Sequence, residues 1–187
     1  CTVGSVMLLR DSNTVNDNAV RFYYKSFDGE QGFPGNLDIS VTYSLSEANG
    51  LFISYRGVSD KKTLINLANH TYFNLKGHNS GDILDTMVSI DADYYTPVNN
   101  EIIPTGKIVS VSETPMDFRT RKFIGEEIDS NCEQIKLAQG YDHNFVLNNQ
   151  NVGIRKIAEA FNKTSGISME VYSDQLGLQF YAGNTMK

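Results

Sequence analysis

Ile39-Ser40-Val41-Thr42-Tyr43-Ser44-Leu45 sets an apolar or aromatic side chain at every second position, with a small hydroxyl residue between each pair. A repeat of two belongs to an extended strand, whose side chains alternate between faces, so this stretch reads as a strand with one face buried. Ser46-Glu47-Ala48-Asn49-Gly50 then supplies turn residues. Leu51, Ile53 and Tyr55 resume the alternation, which predicts a hairpin. Upstream, Val20, Phe22 and Tyr24 alternate with Arg21 and Tyr23. Downstream, Met87-Val88-Ser89-Ile90 and Ile108-Val109-Ser110-Val111 read as further strands, separated by loops that carry Pro97 and Pro104.

A helix competes in one place. Ile157-Ala158-Glu159-Ala160-Phe161 contains good helix formers. The residues that follow, Asn162-Lys163-Thr164-Ser165-Gly166, are a turn signal, and Ile167, Met169 and Val171 alternate directly after it. Strand–turn–strand suits both flanks. The stretch from Gly125 to Gln139 is compatible with a short helix. Many short strands joined by polar turns predict an all-β fold, a β-sandwich.

At 187 residues the chain fits one domain spanning 1–187, with 40% hydrophobic and 20% charged residues and four prolines. No apolar run reaches the length of a membrane span, and Val6-Met7-Leu8-Leu9 is too short for a signal-peptide core. The chain opens at Cys1 rather than Met, so its start is expected upstream or to have been removed. A net charge of −6 argues against nucleic acid, and it suits a neutral small-molecule ligand. Cys1 and Cys132 are too few for a disulfide framework and lack metal-ligand spacing, which predicts free thiols in a reducing compartment. Asn69-His70-Thr71 and Asn162-Lys163-Thr164 match the N-glycosylation pattern, weak evidence of secretion on its own.

Four strings carry more chemistry than the composition does. Asp28-Gly29-Glu30-Gln31-Gly32-Phe33-Pro34-Gly35-Asn36-Leu37 is a dense turn cluster. Asn66-Leu67-Ala68-Asn69-His70-Thr71-Tyr72-Phe73-Asn74-Leu75 crowds polar and aromatic side chains around one imidazole. Gly140-Tyr141-Asp142-His143-Asn144-Phe145 sets polar side chains between a glycine and a phenylalanine. Gly177-Leu178-Gln179-Phe180-Tyr181-Ala182-Gly183-Asn184 holds an amide among apolar and aromatic residues. Such clusters suit a free sugar, whose hydroxyls pair with Asp, Asn, Gln and His while its C–H face stacks on Tyr or Phe. Taken singly, each also reads as a turn whose polar groups are satisfied by the backbone.

Together and in this order, the strings resemble the signature segments of the aldose 1-epimerase (galactose mutarotase) family. Ala92-Asp93-Tyr94-Tyr95-Thr96-Pro97, Ile103-Pro104-Thr105-Gly106 and Thr114-Pro115-Met116-Asp117-Phe118-Arg119 extend the likeness, which runs from about Ser26 to Asn184. The resemblance implies a galactose-mutarotase-like β-supersandwich, present here in part. It also implies interconversion of the α and β anomers of free hexoses, galactose or glucose, by one general acid and one general base. No cofactor and no metal are implied, and the histidines show no zinc-site spacing. His70 matches the family histidine that protonates the ring oxygen. Asp142 matches the aspartate that holds sugar hydroxyls, and Gln179 a glutamine that contacts the sugar. Tyr72 and Asn74 read as supporting structure. If Asp142 points into the cleft, alternation sends Tyr141 and His143 into the body, which makes His143 structural. His78 reads as a solvated loop residue. A glycan on Asn69 would crowd His70, so the cytoplasm is expected.

The chain also departs from the family pattern. The family's general base, a glutamate, is expected beyond Lys187, and nothing from Cys1 to Arg21 matches its sugar-binding arginine or its second histidine. Glu30 sits among turn glycines that suggest a structural role, and Glu101, Glu126 and Glu127 lie where the sequence signals no cleft. Two readings follow, part of a working epimerase or a non-catalytic carbohydrate-binding domain lacking the base.

Overall fold

The computed structural model describes residues 11–186, so Cys1 and the run Val6 to Leu9 lie outside the described residues. The chain divides into two compact units, residues 1–71 and 72–187.

The first unit is one antiparallel sheet. Strands β1 (Asp11–Asn16), β2 (Ala19–Ser26), β3 (Leu37–Leu45) and β4 (Leu51–Ser59) pair in the order β1-β2-β3-β4. Val41 stands opposite Phe22 and Tyr55, while Thr42 stands opposite Arg21 and Ser54, so one face is apolar and the other polar. Ile39 and Val41 are the buried apolar residues of that inner face. Gly57 lies opposite Ile39, and the Ile65 Cδ1 sits 2.6 Å from where a Cβ at position 57 would be. The chain leaving β4 therefore crosses the apolar face. The Asn69 amide donates to the Tyr43 hydroxyl at 3.3 Å on the same face.

The turn cluster between β2 and β3 is knitted by side chains. Asp28 accepts from the Gly35 N–H at 2.6 Å and pairs with Lys61 at 2.6 Å, which holds its carboxyl below the usual carboxylate range. Asn36 donates to Asp60 at 2.7 Å. Glu30 accepts from the Tyr24 hydroxyl, in keeping with a structural role.

The second unit holds two further sheets. Strands β5 (Thr86–Ile90), β6 (Tyr94–Thr96), β7 (Val109–Ser110) and β8 (Lys122–Phe123) precede one short helix, α1 (Glu133–Ala138). Strands β9 (Asp142–Val146), β10 (Arg155–Asn162), β11 (Ser168–Ser173) and β12 (Gly177–Tyr181) follow. One sheet runs β11-β10-β5-β8 and the other β12-β9-β6-β7, with every pairing antiparallel. Val88, Ile90, Ile157 and Ala160 of the first join Tyr95 and Phe145 of the second in one buried cluster. Phe118, Met116 and Tyr141 fill it, with Phe118 edge-on to Tyr141 at 5.0 Å.

Residues 157–171 form strand, turn and strand despite their helix formers. Asn162 is fully buried, and its side-chain oxygen accepts the N–H groups of Thr164 and Ser165. Its amide donates to the Thr86 hydroxyl at 3.1 Å. The turn is thus sealed from inside, and the second glycosylation pattern names a side chain that solvent does not reach. Within the 125–139 stretch, only residues 133–138 are α-helical. The fold is all-β apart from this helix and short 3-10 turns.

Candidate functional site

Strands β9 and β12 pair with Asp142 opposite Tyr181, His143 opposite Phe180 and Asn144 opposite Gln179. Alternation sends Asp142, Asn144, Gln179 and Tyr181 to one face and His143, Phe145, Leu178 and Phe180 to the core. Thr96 of β6 stands opposite Asn144 and extends the outer face. Gln179 donates its amide to Asp142 Oδ1 at 2.7 Å, across the diagonal between neighbouring strands. Tyr181 packs on Tyr72 with ring centroids 5.8 Å apart, and its hydroxyl lies 2.8 Å from that of Thr185. Gly177 leaves room for the Asn144 side chain, whose Oδ1 lies 2.4 Å from where a Cβ would stand. The result is an open face of carboxylate, amides, hydroxyls and aromatic rings. Asp142 is the one carboxylate on that face among the strand residues of this sheet.

Directly beneath, His143 is fully buried. Its Nδ1 accepts the Asp142 N–H at 3.2 Å, and its Nε2 lies 3.2 Å from Gln134 Oε1. Burial pushes the imidazole down to about 4, against an ordinary value of 6.5, the Asp142 charge opposing only in part. Tyr141, also buried, gives its hydroxyl to the Pro115 carbonyl at 3.3 Å. Burial raises its phenol above the ordinary range. The Asn184 amide donates to the carbonyls of Ala138 and Tyr141 at 3.0 and 2.9 Å, tying the chain after β12 to the chain before β9. Gly140, at φ +133°, lets it come so close.

His70 belongs to the first unit, whereas Asp142 and Gln179 belong to the second. His70 is exposed in an irregular stretch beyond β4, beside Asn69, which accepts the Thr71 N–H at 3.0 Å. Of the residues singled out from sequence, Asp142 and Gln179 are brought into direct contact. His143 lies inside, as alternation requires, and His78 is exposed in a turn. Asn144, Thr96 and Tyr181 were not singled out from sequence, although period two from Asp142 and Gln179 points to Asn144 and Tyr181. Gln134 carried no sequence signal.

A separate hollow of about 660 Å3 is lined by Asp117, Arg119, Arg121, Lys122, Glu126 and Glu127, where the sequence signalled no cleft. Its cations are already paired: Arg119 with Asp117 at 2.7 Å, Lys122 with Glu127, and Arg121 with Glu159. Among the described residues no cluster of three or more His, Cys, Asp or Glu side chains could hold a metal ion. Cys132 is a free thiol. No described helix is long and apolar enough to cross a membrane.

Antiparallel sheets in both units, and in the second an open polar and aromatic face over a buried core, define an all-β protein. The aldose 1-epimerase family model matches residues 8–187, and the chain belongs to that family. The aldose 1-epimerase of Haemophilus influenzae is 41% identical over 169 residues, which cover 90% of this chain and 48% of that protein. The galactose mutarotase of Rattus norvegicus is 41% identical over 170 residues, covering 91% and 48%. The crystal structure of galactose 1-epimerase from Lactobacillus acidophilus NCFM superposes with a TM-score of 0.81 at 33% identity, over 94% of this chain and 51% of that one. The chain spans about half the length of the curated relatives it matches.

Proposed function

We propose that this chain carries the acid and the sugar-binding face of an aldose 1-epimerase acting on free hexoses, with galactose or glucose as substrate. The observation that carries the reading is the hydrogen bond from Gln179 to Asp142 on the open face of the β12-β9-β6-β7 sheet. It holds one carboxylate oxygen and leaves the other for a sugar hydroxyl, with the Tyr72–Tyr181 pair as an apolar flank. Membership of the family supports the same reading.

In the proposed reaction His70 gives a proton to the ring oxygen as the C1–O5 bond breaks. A base removes the proton of the C1 hydroxyl, and the open-chain aldehyde forms. Rotation about C1–C2 presents the other carbonyl face, O5 attacks C1, and both protons return. C1 stays at the aldehyde oxidation level from hemiacetal to open chain and back, and the protons balance, so no redox partner is required. An imidazole suits this exchange because it both gives and retakes a proton near neutral pH. The chain as a single partial epimerase domain, with no nucleic-acid or membrane partner and a cytoplasmic setting, belongs to this proposal.

A second reading is a sugar-binding domain without turnover. It is favoured by Asp142 being the lone carboxylate of the strand face and already engaged by Gln179. Polarimetry of freshly dissolved α-D-galactose, with and without the complete gene product, separates the two. Acceleration that His70→Ala and Asp142→Asn each cut by about a hundredfold supports the acid and binding roles. Acceleration untouched by either variant rejects both assignments. Galactose-induced NMR shifts at Asp142 and Gln179 without acceleration select the binding domain.

A further inference from the structure

We propose that Gln134 and His143 form a positioning relay, running from the backbone of Val98 to the backbone of Asp142, that sets the Asp142 carboxylate for ligand binding. It rests on the reading of Asp142 as a sugar-binding residue.

The relay begins at Val98. Gln134 Oε1 accepts the Val98 N–H at 2.7 Å and its Nε2 donates to the Val98 carbonyl at 3.1 Å. A backbone donor and acceptor held in this way allow one orientation of the amide, with the oxygen towards Val98 N–H. The same oxygen lies 3.2 Å from His143 Nε2. An oxygen can only accept, so Nε2 carries the ring proton. Nδ1 is then a lone pair, and it takes the Asp142 N–H at 3.2 Å. The tautomer is dictated from below and spent on the strand above. Tyr95 holds the ring edge-on, with centroids 5.8 Å apart and planes at 82°. Helix α1 thereby acquires a purpose in an otherwise β protein. It delivers Gln134 under the site, with Ile135 and Ala138 buried as its anchors.

Two variants and one ligand test this. Gln134→Glu keeps an oxygen acceptor for both Val98 N–H and His143 Nε2–H while losing the donor to the Val98 carbonyl, whereas Gln134→Leu removes both. In the 15N-labelled chain, imidazole NMR of the wild type should show His143 as the neutral Nε2–H tautomer, with the Asp142 amide slow to exchange. Gln134→Glu should keep that signature and Gln134→Leu should lose it. Titration with D-galactose should show affinity weakened about tenfold in Gln134→Leu and partly restored in Gln134→Glu, a split that loss of packing alone would not give. A wild-type His143 with its proton on Nδ1 overturns the relay, as does a Gln134→Leu chain with unchanged imidazole signals or unchanged galactose affinity. Should Gln134→Leu not fold, the wild-type tautomer and Gln134→Glu still decide the matter. Expected imidazole signals with no galactose response in the wild type would remove the proposed function and leave the relay standing.

Discussion

At the scale of single residues, His143 and Gly140 carry the clearest consequences. An imidazole titrates near 6.5 when exposed, and burial lowers His143 to about 4. Between these values the unfolded chain binds a proton that the folded chain refuses. His143 therefore contributes its full stabilisation above about pH 6.5, loses it as the pH falls, and contributes no further change below about 4. The loss should total about 3 kcal/mol, read from urea unfolding at stepped pH, and His143→Gln should flatten that window. Carboxylates held low by their partners, Asp28, Asp117 and Glu170 among them, lose their contributions as the pH falls towards and below their ordinary values of 3.8 and 4.5, so the part of the window above about pH 5 is the one that reports on His143. Gly140 is constrained twice, by φ +133° and by Asn184 Oδ1 only 2.3 Å from where a Cβ would stand. Gly140→Ala should cost about 2–4 kcal/mol in chemical unfolding. In an Asn184→Ala background the cost should shrink to the backbone part alone, and a double-mutant cycle showing no coupling would reject the close-contact account.

At the scale of elements, the loop between β9 and β10 and the turn between β11 and β12 are joined by one side chain. The Arg155 guanidinium donates to the carbonyls of Asn148, Gly153, Ser173 and Gln175, at 2.8, 3.4, 3.2 and 3.0 Å. Five donors in a planar fork allow such sharing, which a lysine ammonium cannot reproduce. Arg155→Ala should lower unfolding stability by about 2–3 kcal/mol, with Arg155→Lys recovering only part. Backbone exchange at Gln175 and Leu176 should quicken in both. Period-two order made β2, β3, β4 and β11 legible, because alternation survives wherever one face of a strand is covered, and the turn at Asn162–Gly166 then disclosed β10. Alternation marked β7 within Ile108 to Val111 but not β6 and β8, which span three and two residues. Strands that short hold no full period and exist only because longer neighbours pair with them.

At the scale of the whole molecule, burial is unevenly shared between the two units. The large buried cluster, from Val88 to Ala160, lies within residues 72–187, whereas Ile39 and Val41 are the buried apolar residues described in the first unit. Burying a large apolar side chain stabilises by about 1.5–3 kcal/mol, so opening should be costlier in the second unit. Native-state hydrogen exchange should find the amides of β5 and β10 at least about tenfold slower than those of β4. Equal protection across both units would contradict this division. The first unit also leaves Leu51, Phe52 and Val58 of β4 at 50%, 61% and 48% exposure, a poor basis for slow exchange.

Residue order alone shows that the chain is built from strands, that Asp142 and His143 lie on opposite faces of one of them, and which family the motifs resemble. These are properties of residue order: period two is a geometric consequence of an extended backbone, and ordered motifs survive in one dimension. Folding in three dimensions is what brings Gln179 to Asp142, Gln134 to His143 and Asn184 to Gly140. Each of those contacts depends on strand register or on a helix docked beneath a sheet. Their partners lie up to tens of residues apart in the chain, and the shared core sets the distances between them.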